Sequence, residues 1–117
     1  VCNGRWYGGG FNPVPEARPD DGLLDVLLVK KVGLLRAASV IGRYKNGGYA
    51  EFPDLIRHVR CRKLRIRSDK PSVVNVDGEA VYTDDAQIEL IPKAMRFFYP
   101  RGLHYDCRGA KEFTEST

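Results

Sequence analysis

The sequence predicts a mainly β domain of sandwich type with one substantial helix, and three observations carry that prediction. Apolar and polar residues alternate in several short stretches, as Val74 and Val76 do with Asn75 and Asp77, and period-2 alternation marks a half-buried strand. Only Gly33–Tyr44 spaces its apolar residues as a helix does. Twelve glycines and seven prolines in 117 residues supply the punctuation of many short elements. One helix among about seven strand candidates makes the domain predominantly β.

Val1–Tyr7, rich in aromatic and β-branched residues, reads as a strand, and as the middle of one, so the chain is expected to be part of something longer. Gly8-Gly9-Gly10 follows. Three glycines after a strand mark a bulged turn or a close approach of backbone to a ligand. They are the candidates for a nucleotide contact, although they lack the spacing of a dinucleotide or P-loop fingerprint. Pro13, Pro15 and Pro19 exclude a regular helix or central strand from Phe11–Pro19, which is expected to be an ordered, extended loop.

Asp20-Asp21-Gly22 is the next turn, and the almost wholly apolar Leu23–Val29 reads as a central strand covered on both faces. Two carboxylates ahead of a buried strand suit either a type I turn or, with neighbouring carbonyls, a hard cation. In Gly33–Tyr44, Leu34, Leu35, Ala38 and Ile41 describe one helix face, with Arg36, Arg43 and Lys45 on the wet side. Asn46-Gly47 is the stop signal. Phe52-Pro53 breaks the connector that follows.

Arg57–Arg67 holds five arginines and one lysine. Val59 and Cys61 alternate in one phase, Leu64 and Ile66 in the other, which predicts a β-bulge at Arg62-Lys63. The stripe suits the solvated face of an edge strand and, through Arg60, Arg62, Arg65 and Arg67, a weak contact with anionic membrane.

Val73–Glu79 is the most informative stretch. Asp77-Gly78 is a hairpin signal, because Gly takes positive φ without a Cβ clash, and Ala80–Tyr82 is the second strand. Asp77 and Glu79 flank the turn, a suitable mounting for a general base. On the residues alone, a solvated Asp-Gly turn is the preferred explanation of the motif. Ala86–Ile91 is a further strand, Pro92-Lys93 a turn, and Met95–Tyr99 a last strand. Residues 101–117 read as a polar tail.

The net charge of +4 and pI of about 9.1 suit phosphate ligands, acidic membranes or nucleic acid without selecting among them. Cys2, Cys61 and Cys107 are far apart and odd in number, and His58 and His104 have no ligand-like spacing. That argues against a zinc site or disulfide framework and for a reducing cytoplasm. No apolar run approaches the roughly 20 residues of a membrane span.

Five pieces, taken in order, resemble the C-terminal part of the bacterial lipid kinases of the diacylglycerol kinase family. That family includes the YegS- and BmrU-like proteins and is related to sphingosine kinases. The pieces are Asn3-Gly4-Arg5-Trp6-Tyr7-Gly8-Gly9-Gly10, Pro15-Glu16-Ala17, Asp20-Asp21-Gly22-Leu23-Leu24-Asp25-Val26, Val76-Asp77-Gly78-Glu79 and Ile91-Pro92-Lys93-Ala94-Met95-Arg96. They cover roughly residues 1 to 100.

The resemblance implies a two-domain kinase with the active site between an N-terminal nucleotide-binding domain and a β-rich C-terminal domain. The N-terminal Gly-Gly-Asp-Gly-Thr motif is absent from this chain, so residues 1–100 are expected to be the C-terminal domain and most ATP contacts to lie elsewhere. It places the phosphoryl-transfer carboxylates on Asp77 and Glu79. It places a structural Mg²⁺ on the Asp21 side chain and the main-chain carbonyls of Arg18 and Leu23. The implied activity is ATP-dependent phosphorylation of a lipid hydroxyl, with diacylglycerol as acceptor. The implied partners are the lipid substrate, an anionic membrane surface touched peripherally from the cytoplasm, and the chain's own N-terminal kinase domain; a homodimer is compatible. The competing class is a non-catalytic basic module for anionic lipid or nucleic acid. Asp77 and Glu79 speak against nucleic acid, since acidic residues gain nothing at a phosphate-binding face.

Overall fold

The computed structural model describes residues 1–96, 98 and 100–102. In chain order they form β1 (Leu24–Val29), α1 (Leu34–Lys45), a 3₁₀ turn (Gly48–Glu51), β2 (Ile56–Cys61), β3 (Lys63–Val76) and β4 (Glu79–Glu89). The architecture is mainly β with one helix. Among the described residues the strands form two antiparallel two-stranded sheets, β1–β2 and β3–β4.

In the first sheet, Leu24 pairs with Cys61 and Val29 with Ile56. The second is a long ribbon running from Lys63↔Glu89 to Val76↔Glu79, with a register irregularity between Arg67 and Ser72. The expected bulge at Arg62-Lys63 is instead the point where the chain leaves one sheet for the other. β2 ends at Cys61 and β3 begins at Lys63 with a new partner, and Leu90 donates its N–H to the Arg62 carbonyl. Changing partner resets which side chains face inward, so the apolar phase slips as it does across a bulge. The two strands expected at Ala80–Tyr82 and Ala86–Ile91 are one continuous β4.

Val1–Tyr7 is not a strand. Cys2 exchanges both backbone hydrogen bonds with Asp25 at 2.7 and 2.8 Å, and Tyr7 bridges only Phe11, four residues on. Beyond Cys2 the Tyr7 hydroxyl accepts the N–H groups of Asn3 and Gly4 at 2.9 and 2.8 Å. That local acceptor replaces a strand partner, so the chain turns back. The proline loop is irregular as expected, and it is ordered by burial: Val14 and Ala17 are fully enclosed.

β1 is covered only along its first half. Leu24, Asp25 and Val26 are buried, whereas Leu28 and Val29 are exposed. The helix spans the expected residues but buries a different stripe. Val40 is enclosed, with Ala37 and Tyr44 half-buried, while Leu34, Leu35, Ala38 and Ile41 face outward. Val40, Tyr49, Leu55 and Ile56 form one core, with Leu27, Val32, Tyr44 and Phe52 against it. Cys2, Val14 and Ala17 form a smaller one that also meets Leu27. Gly47 closes the helix in the left-handed region at φ 82°, a conformation glycine adopts without a Cβ clash.

The expected common core beneath the alternating Leu64/Ile66, Val74/Val76 and Ile88/Leu90 is not formed among the described residues. Leu64, Val74, Ile88 and Leu90 are half-buried, and Ile66 and Val76 are exposed. The ribbon does not pack extensively against another described element. Of the expected strand at Met95–Tyr99, Phe97 and Tyr99 lie outside the described residues, as does the tail beyond Gly102.

Candidate functional site

The ribbon turns through two residues. Val76 pairs with Glu79, Asp77 has φ 49° and Gly78 φ 97°, so both central residues are left-handed, as a type I′ hairpin requires. The Gly78 N–H is received by the Asn75 side-chain oxygen at 3.0 Å, which fixes the turn from within. Asp77 and Glu79 are exposed, and neither makes an ion pair among the described residues. Two solvated carboxylates stand on a backbone held on both sides by strand pairing.

Asp21 lies elsewhere, in the loop before β1. Its Oδ1 accepts the Leu23 N–H at 2.9 Å, and its Oδ2 accepts from the Arg60 guanidinium. Arg60 reaches past it to Asp25 Oδ1 at 3.3 Å. Asp20 pairs with Arg18 at 3.1 Å, and that hydrogen bond holds its carboxyl below the usual range. Two carboxylates thus share the one Arg60 guanidinium, and Asp25 Oδ2, buried, takes no hydrogen bond from the described residues. A carboxylate and main-chain carbonyls are the hard oxygens magnesium takes, and here both Asp21 oxygens are already engaged. The Asp21 side chain with the Arg18 and Leu23 carbonyls is the set that would hold it, and Arg60 is its competitor for Asp21.

Behind this loop runs a buried polar chain on which composition and spacing were silent. His58 Nε2 lies 2.7 Å from Asp25 Oδ1 and His58 Nδ1 3.0 Å from the Tyr49 hydroxyl, which donates to Glu16. Burial and the neighbouring Glu16 carboxylate raise the Tyr49 phenol well above its ordinary pKa. The network ties the proline loop (Glu16), β1, the 3₁₀ turn and β2 together directly beneath Asp21. One signal was available: Asp25 is the only charged residue in the apolar run Leu23–Val29, and a lone carboxylate there demands a buried partner. Which partner depends on strand register, and no local pattern reveals that.

The structure does not bring the expected site residues together. Asp21 and the Arg18–Leu23 loop sit beside the start of the ribbon, near Arg60. Asp77 and Glu79 stand at its far end, roughly 30 Å along the ribbon at the length of β4 and a strand's rise per residue. Gly8, Gly9 and Gly10 all have positive φ, at 43°, 73° and 103°, between the bridged Tyr7 and Phe11. A Cβ built on any of the three meets nothing within 4 Å, so backbone conformation explains the glycines among the described residues. The arginine stripe is largely neutralised. Arg60 pairs with Asp21 and Asp25, and Arg65 and Arg67 with Asp85, which removes most of the free charge expected to meet a membrane. No helix among the described residues is long and apolar enough to cross one.

Comparison with known proteins gives a consistent picture. Residues 1–99 match the YegS C-terminal NAD kinase beta sandwich-like domain. The chain is 36% identical over 102 residues to a probable lipid kinase YegS-like of Stenotrophomonas maltophilia (strain K279a), covering 87% of this chain and 33% of that protein. It is 36% identical over 98 residues to one of Xanthomonas euvesicatoria pv. vesicatoria (strain 85-10), covering 84% and 32%. It is 32% identical over 101 residues to one of Shewanella frigidimarina (strain NCIMB 400), covering 86% and 32%. The chain therefore spans about a third of the length of these relatives. No solved structure matches it.

Proposed function

This chain belongs to the family of YegS C-terminal NAD kinase beta sandwich-like domains, and from that premise we propose that it is the C-terminal part of an ATP-dependent lipid kinase. The acceptor in this reading is the hydroxyl of diacylglycerol and the product phosphatidic acid. The names of the relatives support a lipid kinase; the acceptor rests on the family resemblance of the motifs. The ATP contacts come mainly from an N-terminal kinase domain, the chain's own partner, with Gly8–Gly10 the candidates for a minor one.

The observation that carries the reading is the ribbon turn. Asp77 and Glu79 are fixed by strand pairing, exposed and free of ion pairs among the described residues. Glu79 accepts the hydroxyl proton as the lipid oxygen bonds to the γ-phosphorus; the bond from that phosphorus to the bridging oxygen breaks and ADP leaves. Asp77 orients the acceptor. Such chemistry depends mainly on positioning and charge stabilisation. Magnesium held by Asp21, Arg18 and Leu23 would supply fixed positive charge to the loop. The competing reading, a non-catalytic basic module, is weakened by the paired state of Arg60, Arg65 and Arg67.

The test is Glu79→Gln in the full-length protein that carries the N-terminal kinase domain; the substitution keeps shape and removes the base. The expected result is a fall in kcat of roughly 10²-fold or more with the lipid KM little changed. Asp77→Asn tolerates the left-handed conformation and is expected to lose activity comparably with the melting temperature unchanged. If both variants keep near-normal turnover, the turn is only a hairpin.

A further inference from the structure

We propose that the exposed apolar face of α1, together with Lys30 and Lys31 ahead of it, is the surface by which this domain docks on an anionic lipid bilayer. The choice of partner rests on the lipid-kinase reading; the surface itself is read from burial and charge.

Leu34 and Leu35 are 85% and 90% exposed and Ile41 is 50% exposed. With the exposed Ala38 they form a stripe beside the one that Ala37, Val40 and Tyr44 bury. Two neighbouring leucines at the leading end of a helix, almost wholly in water, mark a surface that meets something apolar.

Charge selects the occupant. From Val26 to Ala50 there is no acidic residue, and there are five basic ones: Lys30, Lys31, Arg36, Arg43 and Lys45. Arg36 and Arg43 are balanced by Asp54 and Glu51 at 2.6 and 2.7 Å. Lys30 and Lys31 are exposed and make no ion pair among the described residues. A second copy meeting this face would bring the same lysines together, and Asp54, the acidic residue beside Lys30, is already engaged by Arg36. An anionic bilayer supplies both a hydrocarbon layer for the leucines and negative headgroups for the lysines. The arginines of β2 and β3 suit this role less well, because Asp21, Asp25 and Asp85 already engage most of them.

The experiment is co-sedimentation of the full chain with two kinds of vesicle, phosphatidylcholine alone and phosphatidylcholine mixed with phosphatidylglycerol. Preference for the anionic vesicles is expected. Replacing Leu34→Ser and Leu35→Ser together is expected to weaken that partition roughly tenfold, with the melting temperature unchanged because both side chains are exposed. Replacing Lys30→Gln and Lys31→Gln together is expected to abolish the preference, as does high salt. A polarity-sensitive fluorophore on Leu35→Cys is expected to report water before vesicles are added and hydrocarbon afterwards. Three results each overturn the proposal: binding unchanged in both double variants; a fluorophore already in an apolar setting without vesicles, which means that another part of the chain covers the face; or a dimer that Leu34→Ser dissociates, which assigns the face to a second copy.

Phosphoryl transfer from ATP to a short-chain diacylglycerol below its micellar concentration separates this from the kinase reading. The leucine and lysine variants are expected to keep wild-type turnover on it and lose turnover only on vesicles. A wild-type protein that phosphorylates neither form refutes the kinase reading, while the sedimentation arm still decides the docking surface.

Discussion

His58 Nε2 lies 2.7 Å from Asp25 Oδ1, with the two side chains 6% and 1% exposed. Leu27 pairs with His58 and Asp25 with Arg60, so the two residues are diagonal neighbours on one face of the β1–β2 sheet. A carboxylate so enclosed is tolerable only with a charged or hydrogen-bonding partner. His58→Leu removes the closer of the carboxylate's two partners and leaves Asp25 with Arg60 alone, at 3.3 Å, and is expected to cost about 3 kcal/mol in urea unfolding. Asp25→Asn keeps an acceptor for Nε2 and is expected to cost about 1–2 kcal/mol. A His58→Leu cost no larger than that of Asp25→Asn contradicts the assignment.

Gly47 is the position where the helix exit and the proline loop meet. A Cβ there would lie 2.2 Å from Pro15 Cγ and 2.6 Å from its Cδ, and the proline ring cannot swing away. Gly47→Ala is expected to combine a left-handed backbone cost of about 1–2 kcal/mol with an overpacking cost of about 1–3 kcal/mol. Gly9→Ala shares the positive φ but meets open space, so it carries the backbone cost alone. Thermal melts of the two variants should rank Gly47→Ala clearly lower.

Arg60 holds the place of a cation on Asp21, and that yields a competition test of the proposed magnesium set. Magnesium is expected to raise the melting temperature of the full chain, and Asp21→Ala to remove that response. Arg60→Gln is expected to lower the starting stability yet shift the magnesium response to lower concentrations, because the carboxylate no longer has a guanidinium to exchange. A magnesium response identical in all three proteins rules the set out.

Across the ribbon, Arg65 hydrogen-bonds Asp85 and holds its carboxyl below the usual carboxylate range. The lowered value means the folded state favours the ionised acid. The contribution is therefore present above the ordinary carboxylate pKa and lost as pH falls through the folded-state value. Amide exchange of β3 and β4 is expected to quicken on acidification through that range. Asp85→Asn is expected to exchange faster at neutral pH and respond less to acid. Both groups are solvent-facing, so high salt should flatten the difference.

Local chemistry by itself determined the elements whose cause is local. Asp77-Gly78 made a hairpin because Asp and Gly tolerate the left-handed pair of conformations with which a type I′ turn closes two strands. The helix from Leu34 to Lys45 followed from its period and from Asn46-Gly47 at its end. The prolines kept 11–19 irregular, and the order of five motifs pointed to the family. Tertiary structure decided whatever depends on a distant partner. Two apolar stripes lie side by side on α1, and only the return of Tyr49 across Val40 selected which one is buried. The phase slip at Arg62 is the same in sequence for a bulge and for a change of sheet, and strand pairing settled it. Asp25, His58, Tyr49 and Glu16 are up to 42 positions apart and meet only once β1 and β2 are in register. Hydrogen bonds between buried charges are short-ranged, so they are specified by the folded arrangement and not by any spacing along the chain.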